Sequence, residues 1–240
     1  MTLEYKYFKN EYLDAIAENY MRPVFEDTAA FLKRNPPRDL LDIGCGNGLF
    51  GADLKRLTGS RLTGIDASGY ALERAREAGF DATVLCEDLC SRELGVPPAS
   101  FDLALCKDVL EHLLDPAALL QRIGTALRPG GRLLCLVPNH FTVFGRAKFL
   151  FTANLDTYGF FPDSREWDYP HIRFFTKPGF LGLLRSSGFH LERDYGAMFF
   201  HRVPMIWRAP GYRAIMSGID RFFPTAVETA FVGLFRKDAA

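Results

Sequence analysis

The chain has 240 residues, of which 48% are apolar and 24% charged, with 29 basic and 29 acidic side chains and a formal net charge of zero. That length holds one large α/β domain or two small ones, and without net charge there is no long-range field to gather RNA or DNA, so no nucleic-acid partner is expected. No run of about 18 apolar residues suggests a membrane span, and the N-terminus lacks the apolar core of a signal peptide, so a cytoplasmic protein is expected.

In chain order, residues 1–38 read as an N-terminal cap, with "YKYFKNEYLDAIAENY" predicting a helix that helps cover a ligand. From residue 39 short apolar runs alternate with helical-period segments. "DLLDIG" is the first strand, "GLFGADLKRLTG" a helix, "RLTGID" the second strand and "SGYALERAREAG" a helix that stops at Gly79. "DATVLCED" and "FDLALCKD" are the third and fourth strands. "DPAALLQRIGTAL" is a helix with Asp115 as N-cap and Pro116 in its first position. "RPGG" then turns the chain into the fifth strand, "RLLCLVP". Apolar strands separated by helices imply a parallel sheet covered on both faces, hence a doubly wound α/β core over residues 39–137.

The rhythm breaks over residues 138–175, a long aromatic stretch that reads as a substrate lid. Rings such as Tyr158, Phe160, Phe161 and Trp167 either stack on a ring-bearing acceptor or pack the lid onto the sheet. "KPGFLGLLRSSGF" is a helix ending at Gly188, and "HLERDYG" the next strand. A second insertion, residues 204–226, mixes arginines with aromatic rings. It either rests on a membrane surface beside a lipid-linked substrate or covers the core. "AFVGLFRK" closes the chain as a strand, expected antiparallel because no regular crossover precedes it. The whole reads as a single domain. Five cysteines (Cys45, Cys86, Cys90, Cys106, Cys135), an odd number lying mostly in apolar runs, read as buried free thiols, and no metal site is expected.

The chemistry starts at "LLDIGCGNGLFGADL", where Gly44, Gly46 and Gly48 separate the first strand from the first helix. A dinucleotide site wants a third glycine where Leu49 stands. Asp66 ends the second strand, where an acid accepts two hydrogen bonds from a ribose diol, and Asp88 ends the third, within reach of an adenine amino group. Each carboxylate alone has a second reading, as the cap of the following helix. Together on one sheet edge they point to an adenosine-bearing cofactor. An NAD(P)-linked oxidoreductase remains an alternative, opposed by Leu49 and by the lack of a YxxxK relay, as does a non-catalytic nucleoside-binding module.

The successive segments "LLDIGCGNG", "GIDAS", "CEDL", "FDLALCKDVLEHLLDP" and "LRPGGRLLCLVPN", extended by "HIRFFTKPGFLGLLRSSGF" and "FVGLFRK", resemble the ordered motifs of class I S-adenosylmethionine-dependent methyltransferases. The nearest flavour is the small-molecule group around the quinone-biosynthesis O-methyltransferases. The resemblance implies a Rossmann-like seven-stranded sheet with the last strand antiparallel, lid insertions after strands five and six, and S-adenosylmethionine as cofactor, with S-adenosylhomocysteine as product. It also implies that Gly44, Cys45 and Gly46 line the methionine end. Asp42 anchors that loop or bonds the amino group through water. Asp66 takes the ribose diol, Ala67 lies beside the adenine, Asp88 with Leu89 meets the adenine edge, and Lys107 faces the sulfonium. "CKDVLEH" stands where base-methylating relatives carry (N/D)PP(Y/F), which argues for a hydroxyl, or an amine, of a small molecule or glycan as acceptor.

Two histidines are candidate bases, since an imidazole takes a proton from a phenol or sugar hydroxyl at neutral pH. His112 serves so, or bonds backbone near the lid. His171 serves so, or latches the lid to an acid such as Asp156, Asp163 or Asp168. Arg173 binds an acidic substrate group, or pairs with Glu166, and Tyr158 is a candidate substrate contact. The oligomeric state stays open.

Overall fold

The computed structural model describes residues 20–90, 93–152, 170–200, 209–223 and 225–238. The described elements are α1 (Arg22–Phe31), β1 (Asp39–Ile43), α2 (Leu49–Thr58), β2 (Arg61–Asp66), α3 (Gly69–Glu77), β3 (Ala82–Leu85), β4 (Phe101–Lys107), α4 (Pro116–Ala126), β5 (Leu127–Pro138), α5 (Val143–Thr152), α6 (Lys177–Ser186), β6 (Phe189–Asp194), α7 (Tyr212–Phe222) and β7 (Ala230–Lys237). Short 3₁₀ turns cover Leu110–His112 and Gly196–Phe199.

The seven strands form one sheet in the order β3-β2-β1-β4-β5-β7-β6, parallel except for β7, which runs against both β5 and β6. The expected sheet and its antiparallel last strand are therefore present. The reason lies in the connection. β6 ends at the carboxyl edge, and the Phe200–Glu228 bridge brings the residues before β7 to the same edge, so β7 must run back. Both insertions, after β5 and after β6, thus leave from the edge where a doubly wound sheet binds ligands.

Alternation along the strands fills both faces. Leu41, Ile43, Ala104, Cys106, Leu133 and Cys135 pack with Leu119, Leu120 and Ile123 of α4 and Phe180 and Leu184 of α6. Leu40, Leu62, Leu103, Leu105, Leu134 and Leu136 pack with Val24 and Phe25 of α1, Phe50 and Leu54 of α2, and Leu72 of α3. All five residues of β1 are buried, and each fully buried leucine contributes about 1.5–3 kcal/mol. Caps set the helix starts: Ser68 accepts from the Ala71 amide, Asp115 from Ala118 as expected, and Thr176 from Gly179. All five cysteines are free, and all but Cys90 are buried.

Two boundaries differ from expectation. β3 stops at Leu85 rather than Asp88, leaving Asp88 exposed in the loop beyond, where its Oδ1 accepts from the Cys90 amide at 2.7 Å. "RPGG" is no turn between elements. Phe101 pairs with Leu127 while Leu103 pairs with Arg132, so these residues form a bulge inside β5, with Gly130 at φ 74°. In the described part of the second insertion, α7 buries Tyr212 and Met216 while Ile215, Ile219, Phe222 and Phe223 stay exposed. Within residues 138–175, α5 is described and exposes Phe149, Leu150 and Phe151. Tyr158, Phe160, Phe161 and Trp167, the acids Asp156, Asp163, Asp168 and Glu166, and residues 1–19 lie outside the described residues. Among the described residues no helix is long and apolar enough to cross a membrane.

Candidate active site

β1 and β4 are neighbours although β2 and β3 intervene in sequence, so the sheet reverses its winding between them. The glycine loop sits at this switch point. The amides of Gly44 and Cys45 both donate to the Ile65 carbonyl of β2, at 2.8 and 3.0 Å. Gly44 has φ 67°, and a Cβ there would lie 2.6 Å from Val109 Cγ2. Gly48, at φ 78°, would place a Cβ 2.8 Å from the Ala75 backbone. Both glycines are thus demanded by left-handed backbone and by the close approach of this chain's own atoms.

Asp66, half-buried at the end of β2, closes the loop from the other side. Its Oδ2 accepts from the Gly46 amide and its Oδ1 from the Ser68 amide, each at 2.9 Å. Burial raises its pKa, against the lowering effect of these backbone bonds. Ala67 follows it, half-buried, at the entry to α3.

Asp42 lies under α2, where Gly51 leaves it room: a Cβ on Gly51 would stand 2.4 Å from Asp42 Oδ2. That oxygen is buried and has no hydrogen-bond partner among the described residues. Desolvation, reinforced by Asp66 and opposed by Lys107, pushes the Asp42 carboxyl up from 3.8 to about 7. Cys45 is buried against Gly64, and burial with the two nearby carboxylates pushes its thiol well up. Leu89 is half-buried against the core and its carbonyl accepts from Arg122 at 3.3 Å.

Lys107 ends β4 with its side chain 13% exposed. Its ammonium pairs with Asp108, donates to the Tyr20 hydroxyl at 2.9 Å, and lies 4.2 Å from the centroid of the Phe50 ring. Burial works against the charge, but Asp108 and Tyr20 outweigh it and hold the ammonium protonated. Asp108 is a non-glycine residue at φ 53°, the left-handed region, a conformation that clusters at functional sites. Tyr20, the one N-terminal tyrosine among the described residues, reaches this edge and donates to Asp108 Oδ2 at 3.0 Å.

Beyond β4 the chain gathers histidines from three segments. His112 stands in the 3₁₀ turn, His140 after β5, and His171 before α6. His140 Nε2 lies 2.7 Å from His171 Nδ1, and the rings of His112 and His171 are 4.7 Å apart. His112 donates Nδ1–H to the Pro170 carbonyl at 3.1 Å. Burial lowers the pKa of His112, and burial with the two neighbouring imidazoles pushes His171 down to about 2. Glu111 is fully buried beside them. Its carbonyl accepts the amides of Ile172 and Arg173 at 2.9 and 3.0 Å, which ties the His171 segment to the turn. Arg173 donates its guanidinium to the carbonyls of Leu113 and Leu114. It shares an open recess with Leu114, Phe141, Phe174 and Thr176.

The structure thus brings Asp42, Gly44, Cys45, Gly46, Asp66, Ala67 and Lys107 to the switch point, and His112 with His171 to its flank. Sequence reasoning missed His140, Tyr20 and the buried Glu111. No local pattern marks the first two, and in "DVLEH" Glu111 stands among other polar side chains, so nothing in the sequence singles it out as buried.

Residues 14–193 match the family described as a methyltransferase domain. A ubiquinone biosynthesis O-methyltransferase of Xanthomonas oryzae pv. oryzae is 36% identical over 101 residues, 39% of this chain and 40% of the relative. The match therefore spans well under two thirds of that relative's length. The crystal structure of an S-adenosylmethionine-dependent methyltransferase from Mesorhizobium loti covers 94% of this chain and 100% of its own, with a TM-score of 0.59 at 22% identity. A 1,6-didemethyltoxoflavin-N1-methyltransferase of Burkholderia thailandensis, solved with S-adenosylhomocysteine bound, has a TM-score of 0.55 at 23% identity and covers 92% of this chain and 79% of its own. The orphaned Asp42 oxygen, the left-handed glycine cradle and the Asp66 carboxylate fit the cofactor of that family at the edge where the fold binds ligands. By its ordered motifs, its sheet and the match over 14–193, the chain belongs to the class I S-adenosylmethionine-dependent methyltransferases.

Proposed function

We propose that this chain moves a methyl group from S-adenosylmethionine to a hydroxyl of a small molecule or glycan. The observation that carries the hydroxyl reading is the set of imidazoles beside the end of β4, one wall of which, Val109, touches the glycine loop. The name of the Xanthomonas relative supports the same chemistry. When bound, the cofactor supplies a methyl group already activated on a sulfonium, so orientation of the acceptor carries much of the rate, worth about 7–11 kcal/mol in well-aligned systems.

In this reading Asp66 orients the ribose, with Ala67, Asp88 and Leu89 around the adenine, while Gly44, Cys45 and Gly46 carry the methionine end. Asp42 satisfies its buried oxygen through a water or the amino group. Lys107 faces the sulfonium with its charge already compensated by Asp108 and Tyr20, which spares the site an unbalanced like charge. His112 accepts the hydroxyl proton: donation of Nδ1–H to Pro170 leaves Nε2 with a lone pair. Burial and the two neighbouring imidazoles keep His171 in its neutral form, which takes up a second proton poorly, so it serves by placing His112 and the lid. Tyr158 and Arg173 contact the acceptor.

The test is incubation of the purified chain with S-adenosylmethionine and matched phenols, sugars and amines, with products read by mass spectrometry. Methylation of hydroxyls supports the reading, and methylation of amines alone overturns its hydroxyl part. No product, with S-adenosylhomocysteine bound in calorimetry, overturns catalysis on these acceptors. The exposed apolar side chains of α5 and α7 support a second element, contact with a membrane surface. Absence of co-sedimentation with anionic vesicles overturns that element.

A further inference from the structure

Where the second insertion rejoins the sheet, three carboxyl groups meet one ammonium. Lys177, in the first turn of α6, donates to Glu228 Oε1 at 2.7 Å and pairs with Asp194 Oδ2 of β6 at 2.8 Å. Asp194 turns its other oxygen to the Gly196 amide at 2.9 Å. A Cβ on Gly196 would collide with the Glu228 carboxyl, so that side chain fills its space completely. Glu228 is 2% exposed, and its Oε2 is buried without a donor among the described residues. The same holds for Oδ1 of Asp220, in the last turn of α7. Yet Glu228 and Asp220 are hydrogen-bond partners of one another. Two carboxylates cannot make that bond, because both only accept; a carboxyl and a carboxylate can, with one proton between them. The two oxygens without donors thus satisfy each other through that proton. Burial pushes the Glu228 carboxyl up from 4.5 to about 7, against Lys177 and with help from Asp220 and Asp194. Burial raises Asp220 as well.

We propose that Asp220 and Glu228 form a proton-dependent latch that fastens the C-terminal end of α7 to the segment entering β7, closed while they share a proton and released when both are ionised. The charged groups that face one another there are Lys177 on α6, Asp194 on β6, Asp220 on α7 and Glu228 before β7. One ammonium balances one carboxylate, and with the shared proton a single excess negative charge is left. Without that proton two like charges confront each other out of water. The Glu228 segment itself is held by bonds indifferent to pH. Asn139 donates its amide group to the carbonyls of Thr225 and Glu228 at 2.7 and 2.6 Å, and Glu228 bridges to Phe200. Release therefore frees α7 and leaves residues 225–229 in place. What else holds α7 is slight: Tyr212 and Met216 pack with Phe200 and Val227 in a cluster of four buried residues apart from the main core. Opening would bare that cluster beside the carboxyl edge. The latch does not depend on which acceptor is methylated.

The test is hydrogen exchange of the whole chain at pH 6 and pH 8, read by mass spectrometry as protection factors, which remove the intrinsic effect of pH on exchange. Glu228 titrates near 7 with the latch closed and near 4.5 once released, so the latch is fully favoured below 4.5 and lost as pH rises through 7. Protection of the α7 amides should therefore fall about tenfold from pH 6 to pH 8, while that of α4, in the main core, should not fall with it. Glu228→Gln and Asp220→Asn each place an amide N–H where the proton sits, so the bond persists at either pH. Each variant should hold α7 protection constant to within about twofold. Wild-type α7 protection equal at the two pH values, a parallel fall in α4, or the full tenfold fall in both variants overturns the proposal. The wild-type comparison needs no substitution and stands whatever the stability of the variants. None of these measurements involves methyl transfer, so their failure leaves the proposed function standing.

Discussion

The two halves of the carboxyl edge are built by opposite means. On the β1–β2 side the groups come from near neighbours in sequence, and the backbone does most of the holding: Gly44 and Cys45 donate to Ile65, and Gly46 to Asp66. On the β4–β5 side the groups come from residues 108, 112, 140 and 171, and side chains hold one another: Lys107 with Asp108 and Tyr20, His140 with His171. A site made from backbone in a short turn is written in a motif. A site made from side chains of distant segments is written only in the packing that joins them.

That contrast can be broken at the glycine loop first. Gly48→Ala puts a Cβ against the Ala75 backbone at φ 78°, which should cost about 2–5 kcal/mol from left-handed strain and overpacking together. Urea denaturation measures it, and a loss under about 1 kcal/mol means α2 and α3 separate easily there.

Asp42 tests the same half through pH. Its carboxyl sits near 7 in the fold against 3.8 ordinarily, so the fold prefers the protonated form. That contribution is complete below pH 3.8 and is lost as pH rises through 7. Asp42→Asn should therefore flatten the stability–pH curve across this window by about 3–4 kcal/mol. Glu228, also held near 7 by burial, keeps some slope in the variant. Urea melts between these pH values read the difference, and parallel curves would remove Asp42 as the cause.

Asp66→Ala takes away the acceptor of two amides and the proposed ribose contact, and should cost about 2–3 kcal/mol of S-adenosylhomocysteine binding. In thermal melts wild type at 100 times Kd gains about 2.7 kcal/mol, and the variant should lose nearly all of that gain. His171→Asn, in the other half, should keep it. Equal losses in both variants would mean the halves are not separate.

The smallest effect is expected at Tyr20→Phe. It removes a hydroxyl that joins Lys107 to Asp108 while sparing the ring on Phe50, with centroids 5.3 Å apart. A loss of about 1 kcal/mol in urea denaturation is expected. A loss several times larger would show that Lys107 depends on the hydroxyl more than on Asp108.

Most of the fold was legible because strand and helix periods are local. "DLLDI" is buried at every position, as a strand covered on both faces must be, and Asp115 and Pro116 start α4 where capping chemistry puts them. Asp88 was misjudged as a strand end because β3 stops where its pairing with β2 stops, at Leu85 against Asp66, and pairing length is not a local property. The "RPGG" bulge was hidden for the same reason: only its partner β4 shows that the strand resumes beyond it.

By itself, then, the sequence determined the alternation of elements, the glycine loop and the acid at the end of β2, since each depends on residues within one turn or strand of one another. Only the tertiary structure decided that Tyr20 would reach Lys107, that one Asp42 oxygen would find no hydrogen-bond partner among the described residues, and that Glu111, His112, His140 and His171 would meet. Those outcomes depend on distances across the sheet edge. Such distances arise when β1, β4 and β5 pack side by side, and no stretch of contiguous residues contains them.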